Sequence, residues 1–243
     1  MNQKKVGSYQ KRHLMLTRLE KIMKKSHIDK FNFVYGLSDN YYGQELRPEF
    51  TDFFNGKDCR NMMALDVGCG EGRYAIFLAS LGATVVAIDR STVGIEKLSE
   101  KAQKKGLKIK AVDVDVADFI FSENIYDIVV AATILDHLPQ EHLADTASKI
   151  KMALKPDGIL YVNVFTVSDP GYEIQQRQGN LPSNDVSDTA ECMEHYFQSG
   201  ELKSLFKDFD ILYDYEGLEA DLTHGTPHHH GWACLLARKP NPR

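Results

Sequence analysis

The sequence lacks any apolar run approaching the roughly 20 residues that a bilayer-spanning helix needs, and its opening MNQKKVGSYQKRHLM lacks the apolar segment of a secretory signal peptide. A cytoplasmic protein with no membrane partner is the expectation. Cysteine is sparse: Cys59, Cys69, Cys192 and Cys234 are scattered, with no CxxC pair and no framework spacing, so reduced thiols are expected. There is no internal repeat and no low-complexity tract, and no Gly-Lys-Ser/Thr run that would support a nucleoside triphosphate.

What is present is enough for a full core: 243 residues, 43% of them hydrophobic, read as one domain with terminal additions. The net charge of -5 hides an asymmetry. Residues 1–30 hold nine Lys and Arg against Glu20 and Asp29, a surplus of +7 that leaves -12 for the remainder. His13, Leu14, Leu16, Leu19, Ile22, Met23 and Ile28 recur near helical spacing, so residues 8–27 read as an amphipathic basic helix docking on an acidic body. That acidic body argues against a nucleic-acid partner.

From Met62 onward, short apolar runs alternate with helical stretches: NMMALDV, GRYAIFLASLG, TVVAID, TVGIEKLSEKAQKKG, KIKAVDV, YDIVVAATI, a helix over 140–154, then GILYVNVFT and a helix near 199–207. Such alternation predicts an α/β fold, a Rossmann-like doubly wound sheet covered on both faces. FDILYDYEG and HHGWACLLARK are joined by too short a connection for a crossover helix, so they are expected to close the mostly parallel sheet as an antiparallel hairpin. Residues 166–198, rich in Ser, Asp, Gly and Pro, are too long for a routine connection and read as an insertion or lid.

The string LDVGCGEGR, Leu65 to Arg73, follows an apolar strand and opens a helix. Glycines there let the chain turn sharply and bring its backbone close to a ligand at a helix N-terminus. The spacing Gly68-x-Gly70-x-Gly72 is one residue tighter than the dinucleotide fingerprint. Asp66 beside the turn would repel a pyrophosphate but favour a ligand carrying ammonium and sulfonium groups, which points to S-adenosylmethionine. The second strand ends in Asp89, suited to accept both ribose hydroxyls, and the third ends around Val114–Val116, with Asp115 facing the adenine amino group.

With LDVGCGEGR, the Asp89 strand end, VDVADFIFSENIYDIVV and ATILDHLP in place, residues 62–238 resemble the class I S-adenosylmethionine-dependent methyltransferases. The resemblance implies a seven-stranded sheet with its last strand antiparallel, preceded by an N-terminal helical or lid region over 1–58 and occupying 59–243. It implies a cofactor set of Asp66, Gly68, Cys69, Gly70, Gly72, Arg73, Asp89, Arg90, Asp115, Val116, Ala132 and Thr133. More narrowly, YYGQELRPEF, EHYFQSGELKSLFKDF and the histidine-bearing hairpin resemble the tellurite-resistance and thiopurine-type small-molecule methyltransferases. The acceptor this implies is a thiol, a chalcogen oxyanion or a similar metabolite, handled by a monomer or homodimer. Macromolecular acceptors are disfavoured, since the Asn/Asp-Pro-Pro-Tyr/Phe motif and a Pro-Cys nucleophile are both missing.

Methyl transfer from a sulfonium asks the protein to orient the acceptor, exclude water and, for a hydroxyl or amine, remove a proton. The acceptor-side candidates are His137, Tyr42, His228 and His230, with Tyr41 as a neighbour in the aromatic cover and His195 and Arg177 as structural or solvated residues. In THGTPHHHGW, strand alternation puts His228 and His230 on one side and His229 on the other. Joined by His224, they could ligate a metal; with no cysteine or carboxylate at ligand spacing in this loop, a pocket wall is preferred and no metal is assigned. A non-catalytic module that binds the cofactor or a metal is the alternative from another class, and O- or N-methylation of a metabolite the alternative chemistry.

Overall fold

The computed structural model describes residues 27–178, 193–221 and 227–241. His224 and, but for its last residue, the helix expected over 8–27 lie outside them. The elements run α1 (His27–Leu37), α2 (Pro48–Phe54), β1 (Met63–Val67), α3 (Arg73–Ser80), β2 (Thr84–Asp89), α4 (Thr92–Lys105), β3 (Ile109–Asp113), β4 (Tyr126–Ala132), α5 (Gln140–Ala153), β5 (Leu154–Phe165), α6 (Pro170–Gln178), α7 (Glu201–Leu205), β6 (Asp210–Asp221) and β7 (His228–Arg238). They form one seven-stranded sheet in the order β3-β2-β1-β4-β5-β7-β6. The first five strands pair in parallel, whereas β7 runs antiparallel between β5 and β6.

The sequence explains this order. β1 and β4 sit at the centre and are buried almost throughout, as strands covered on two faces must be. β6 is one edge, carries only exposed and half-buried residues, and alternates between them from Asp214 to Asp221. One face is packed by Leu143, Ala147 and Ile150 of α5 with Leu202 of α7 and the nearby Phe206. The other is packed by α2, α3 and α4 through Phe50, Phe54, Tyr74, Leu78 and Leu98. Phe50 lies edge-on to Tyr74 with ring centroids 4.9 Å apart and the same distance from Tyr161 of β5, so the short helix begun by Pro48 is fixed to the sheet by aromatic packing rather than by its own length. The third strand ends at Asp113, two residues before Asp115, which therefore sits in the following turn.

The segment read as an insertion is partly built into the core. Thr166 and Asp169 are buried at its start, α6 follows, and Met193, Tyr196 and Phe197 are buried at its end. Residues 179–192 lie outside the described part. No helix among the described residues is long and apolar enough to cross a membrane.

Candidate active site

The carboxyl ends of β1, β2 and β4 open on one side of the sheet, and the glycine turn between β1 and α3 is folded back against them. The backbone N–H groups of Gly68 and Cys69 both donate to the carbonyl of Ile88, at 2.8 and 2.9 Å, and Gly72 N–H donates to Cys69. Gly68, Gly70 and Gly72 all have positive φ. A Cβ on Gly68 would come within 2.8 Å of Ile134, so glycine is required there both for backbone conformation and for space. Asp89 accepts from Gly70 N–H at 2.8 Å and from Ser91 N–H at 2.7 Å, while Ser91 caps α4 by accepting from Gly94.

Asp66 is only 1% exposed and accepts the N–H of Ala75 in the first turn of α3 at 3.0 Å. Burial, opposed by that hydrogen bond and reinforced by the charge of Asp89, pushes its pKa up to about 7. Burial raises Asp89 as well, against the pull of its two backbone donors. Two buried acids held near a common cavity form a site that gains from a cation.

Arg90 pairs with Asp115 at 3.5 Å on the rim, and Asp115 also accepts from Ala117 N–H. Thr133 follows β4 with φ 51°, a left-handed conformation stabilised by Thr133 N–H donating to Asn163 O at 2.9 Å. Over the turn lies the chain before β1. Tyr35 of α1 is buried and packs on Gly70, Tyr42 meets Tyr35 edge-on at 6.1 Å, and Phe31 meets His137 edge-on at 5.2 Å. Arg73 donates to the carbonyls of Tyr42 and Glu45. Glu71, not among the sequence candidates, accepts from the N–H groups of Asn40 and Tyr41 at 2.9 and 2.7 Å and faces Lys97 and Lys101.

Strand pairing brings the hairpin to the same edge. Because β7 is antiparallel, its first residues lie against the last residues of β5 and β6: Phe165 is opposite Trp232, Glu219 opposite His230, and Asp221 opposite His228. Phe165 and Trp232 stack at 4.3 Å, and Arg47, ion-paired to Glu219 at 2.9 Å, lies over the Trp232 ring. His228 and His230 share a face, their Nε2 atoms 2.8 Å apart, and His229 is exposed on the other. His230 Nδ1 lies 2.8 Å from the carboxylate of Asp169, a residue 6% exposed that also accepts from Gly231 N–H. The loop itself offers these histidines no carboxylate at ligand spacing; Asp221 arrives beside them from the neighbouring strand.

One cavity of about 690 Å³ joins these parts, a volume usual for small-molecule sites. Asp66, Gly68, Cys69, Gly72, Arg73, Asp89, Arg90, Asp115, Val116, Ala132 and Thr133 line it, with Tyr42, His137 and His230. Gly70 and His228 do not line it; they are hydrogen-bonded to the lining residues Asp89 and His230. His195 is bound to Glu201 at 2.7 Å, and Arg177 is exposed and paired with Glu173. Neither lines the cavity. Asn163, near the carboxyl end of β5, was missed by sequence reasoning: it is 1% exposed, lines the cavity, and neither of its side-chain polar atoms has a hydrogen-bond partner among the described residues. Its signal was a lone amide in the apolar run YVNVF.

Residues 64–158 match the family described as a methyltransferase domain. A ubiquinone biosynthesis O-methyltransferase of Actinobacillus pleuropneumoniae is 32% identical over 106 residues, 42% of this chain and 44% of that protein. One of Rickettsia typhi is 30% identical over 115 residues, 47% and 46%. The matched part thus spans less than half the length of these curated relatives. Among solved structures, TehB from Haemophilus influenzae superposes with a TM-score of 0.63 at 22% identity, covering 80% of this chain and 62% of that one. A SAM-dependent methyltransferase from Methanosarcina mazei gives 0.63 at 19%, covering 82% and 100%. The fold is that of the class I S-adenosylmethionine-dependent methyltransferases, and within it residues 64–158 match a methyltransferase domain. The likeness to TehB is one of fold.

Proposed function

We propose that this protein transfers the methyl group of S-adenosylmethionine to a hydroxyl of a small molecule bound between Asn163, Phe165, Trp232 and His230. The observation that carries this is the continuity of one cavity from the buried acids Asp66 and Asp89 to the Asp169–His230 pair. The cofactor, when bound, supplies an electrophilic methyl group on a sulfonium; the chain has to hold both reactants in line and keep water out.

Asp89 offers its carboxylate to the ribose hydroxyls and Asp115 its carboxylate to the adenine amino group, while Asp66 and the backbone from Gly68 to Gly72 meet the cationic methionine end. Arg73 secures the covering segment, Arg90 secures Asp115, and Cys69, Val116, Ala132 and Thr133 complete the walls. Phe31, Tyr35, Tyr42 and His137 cover the site from solvent. His230, whose Nδ1–H is backed by Asp169, is the proton acceptor for the acceptor hydroxyl, its Nε2 exchanging the hydrogen bond to His228 for one from the substrate. Asp169 fixes the orientation of His230, and Asn163 offers both a donor and an acceptor to the substrate.

A thiol or chalcogen-oxyanion acceptor needs no base, and the Asp169–His230 pair favours a hydroxyl over it. The O-methyltransferase names of the sequence relatives point the same way. Transfer of labelled methyl from S-adenosylmethionine to a panel of phenols, catechols, thiols and selenite or tellurite tests the reading. Labelled methyl ether is the expected product; labelling of thiols or oxyanions alone, or of protein or nucleic acid alone, rejects it.

A further inference from the structure

At the hairpin end of the cavity three potential ligands converge. Asp221 closes β6, His228 opens β7 directly opposite, and His230 follows on the same face. One donor atom from each lies within 4.8 Å of the other two, and all three residues are half-buried. We propose that Asp221, His228 and His230 bind a divalent first-row cation of the Zn²⁺ class, with an open coordination position facing the cavity.

The donor chemistry fits. Two imidazole nitrogens and one carboxylate oxygen, with further positions left to solvent or substrate, suit such an ion and leave it able to take an acceptor oxygen. The tautomer fits as well. A Nδ1–H of His230 donating to Asp169 leaves Nε2 with its lone pair directed away from Asp169, toward His228. A carboxylate behind a ligating imidazole is the arrangement that orients the ring and raises its basicity. Asp169 is itself held by the N–H groups of Gly171 and Gly231, so the ring it supports has little freedom.

The geometry needs one adjustment. Nitrogens bound at about 2.1 Å to a tetrahedral ion stand roughly 3.4 Å apart, whereas the two Nε2 atoms are 2.8 Å apart. The rings must separate by about half an ångström, replacing their mutual hydrogen bond by two metal bonds. His228 opens β7 at the end of the hairpin, so a small rotation of its ring, with His230 held by Asp169, suffices. In this state the imidazole nitrogens are committed to the ion, and the acceptor is held on the ion instead of on His230. Asp221 and His230 both line the cavity, so the open position and the substrate share one space.

The test is titration of the full-length protein with Co²⁺ alone, in the absence of cofactor and substrate, read by visible d–d absorption and calorimetry. The proposal expects one Co²⁺ per chain in the micromolar range, displaced by Zn²⁺. The double variant His228→Ala/His230→Ala should lose it, and Asp169→Asn should weaken it by about 10–100-fold. His229→Ala, on the opposite face, should bind as the parent does. Far-UV circular dichroism checks the folding of each variant, and Asp221→Asn, which keeps both rings, serves if the double variant unfolds. It removes a ligand rather than the support of one, and should weaken Co²⁺ binding at least as much as Asp169→Asn does. Absence of stoichiometric Co²⁺ binding, or binding that survives the loss of both histidines or is lost equally in His229→Ala, overturns the proposal. The outcome is separable from the proposed activity: Co²⁺ binding without methyl transfer to any acceptor rejects that activity alone, and methyl transfer without Co²⁺ binding rejects this site alone.

Discussion

Asp89 accepts the backbone N–H of Gly70 at 2.8 Å, so the carboxylate that ends the second strand also braces the glycine turn that follows the first. Ligand contact and turn geometry are therefore not independent. Asp89→Ala should weaken S-adenosylhomocysteine by tenfold or more and also lower the melting temperature, because a buried N–H loses its acceptor at a cost of about 1–3 kcal/mol. Asp89→Asn, which can accept from only one of the Gly70 and Ser91 N–H groups and sets its NH2 against the other, should recover part of the stability but not the affinity. Calorimetry and thermal melts on the two variants check this.

The Asp66 carboxyl, pushed up to about 7 by burial, makes cofactor binding a proton-linked event. The folded chain keeps a proton on Asp66 over roughly pH 4–7, where the unfolded chain has lost it, so this group's contribution to stability falls as pH rises across that window and levels off above it. A cation beside Asp66 favours the ionised form. Affinity for S-adenosylmethionine should therefore rise from pH 6 to pH 8 with release of a proton near neutrality, seen as a buffer-dependent binding enthalpy. In Asp66→Asn both the proton release and the pH-dependent loss of stability should diminish.

Gly68→Ala places a side chain at φ 69° and a Cβ 2.8 Å from Ile134. A penalty of about 1–3 kcal/mol in folding is expected, together with loss of cofactor binding because the turn must shift. A variant with parental melting temperature and affinity would contradict the role given to this glycine.

Asn163→Leu separates stability from function. Removing a buried amide with no partner among the described residues should leave the melting temperature unchanged or raise it, while kcat/KM for the small-molecule acceptor falls on the order of tenfold to a hundredfold, as expected for one or two lost polar contacts. Cofactor affinity should change less than acceptor turnover. A loss of stability with retained turnover would make Asn163 a packing residue.

The alternation of runs from NMMALDV to LLARK was legible as a doubly wound sheet because each element announces itself locally, by period and by flanking turn residues. The turn Gly68–Gly72 was legible for the same reason: its conformation is dictated by residues that are neighbours in the chain. Asp169 and Asp221 were not: Asp221 meets His228 only through strand register, and Asp169 reaches His230 from the turn between β5 and α6, 61 residues away in the chain. Reading THGTPHHHGW as an isolated loop left the histidines without a carboxylate; pairing β6 with β7 supplied one. Asp115 was placed two residues too far along its strand because Val114 and Val116 continue the apolar pattern past the last pairing of β3 with β2 at Asp113. Glu71 gave no local signal, being one more residue of the turn until Asn40 and Tyr41 fold onto it.

The central claim is that the acid-lined edge of β1 and β2 selects a cation-bearing nucleoside over a polyanionic one. Isothermal calorimetry of the protein with S-adenosylmethionine, S-adenosylhomocysteine and a nicotinamide dinucleotide tests it most directly. The account predicts stoichiometric binding of the first two and none of the third. Heat from the dinucleotide with none from either sulfur nucleoside would contradict it.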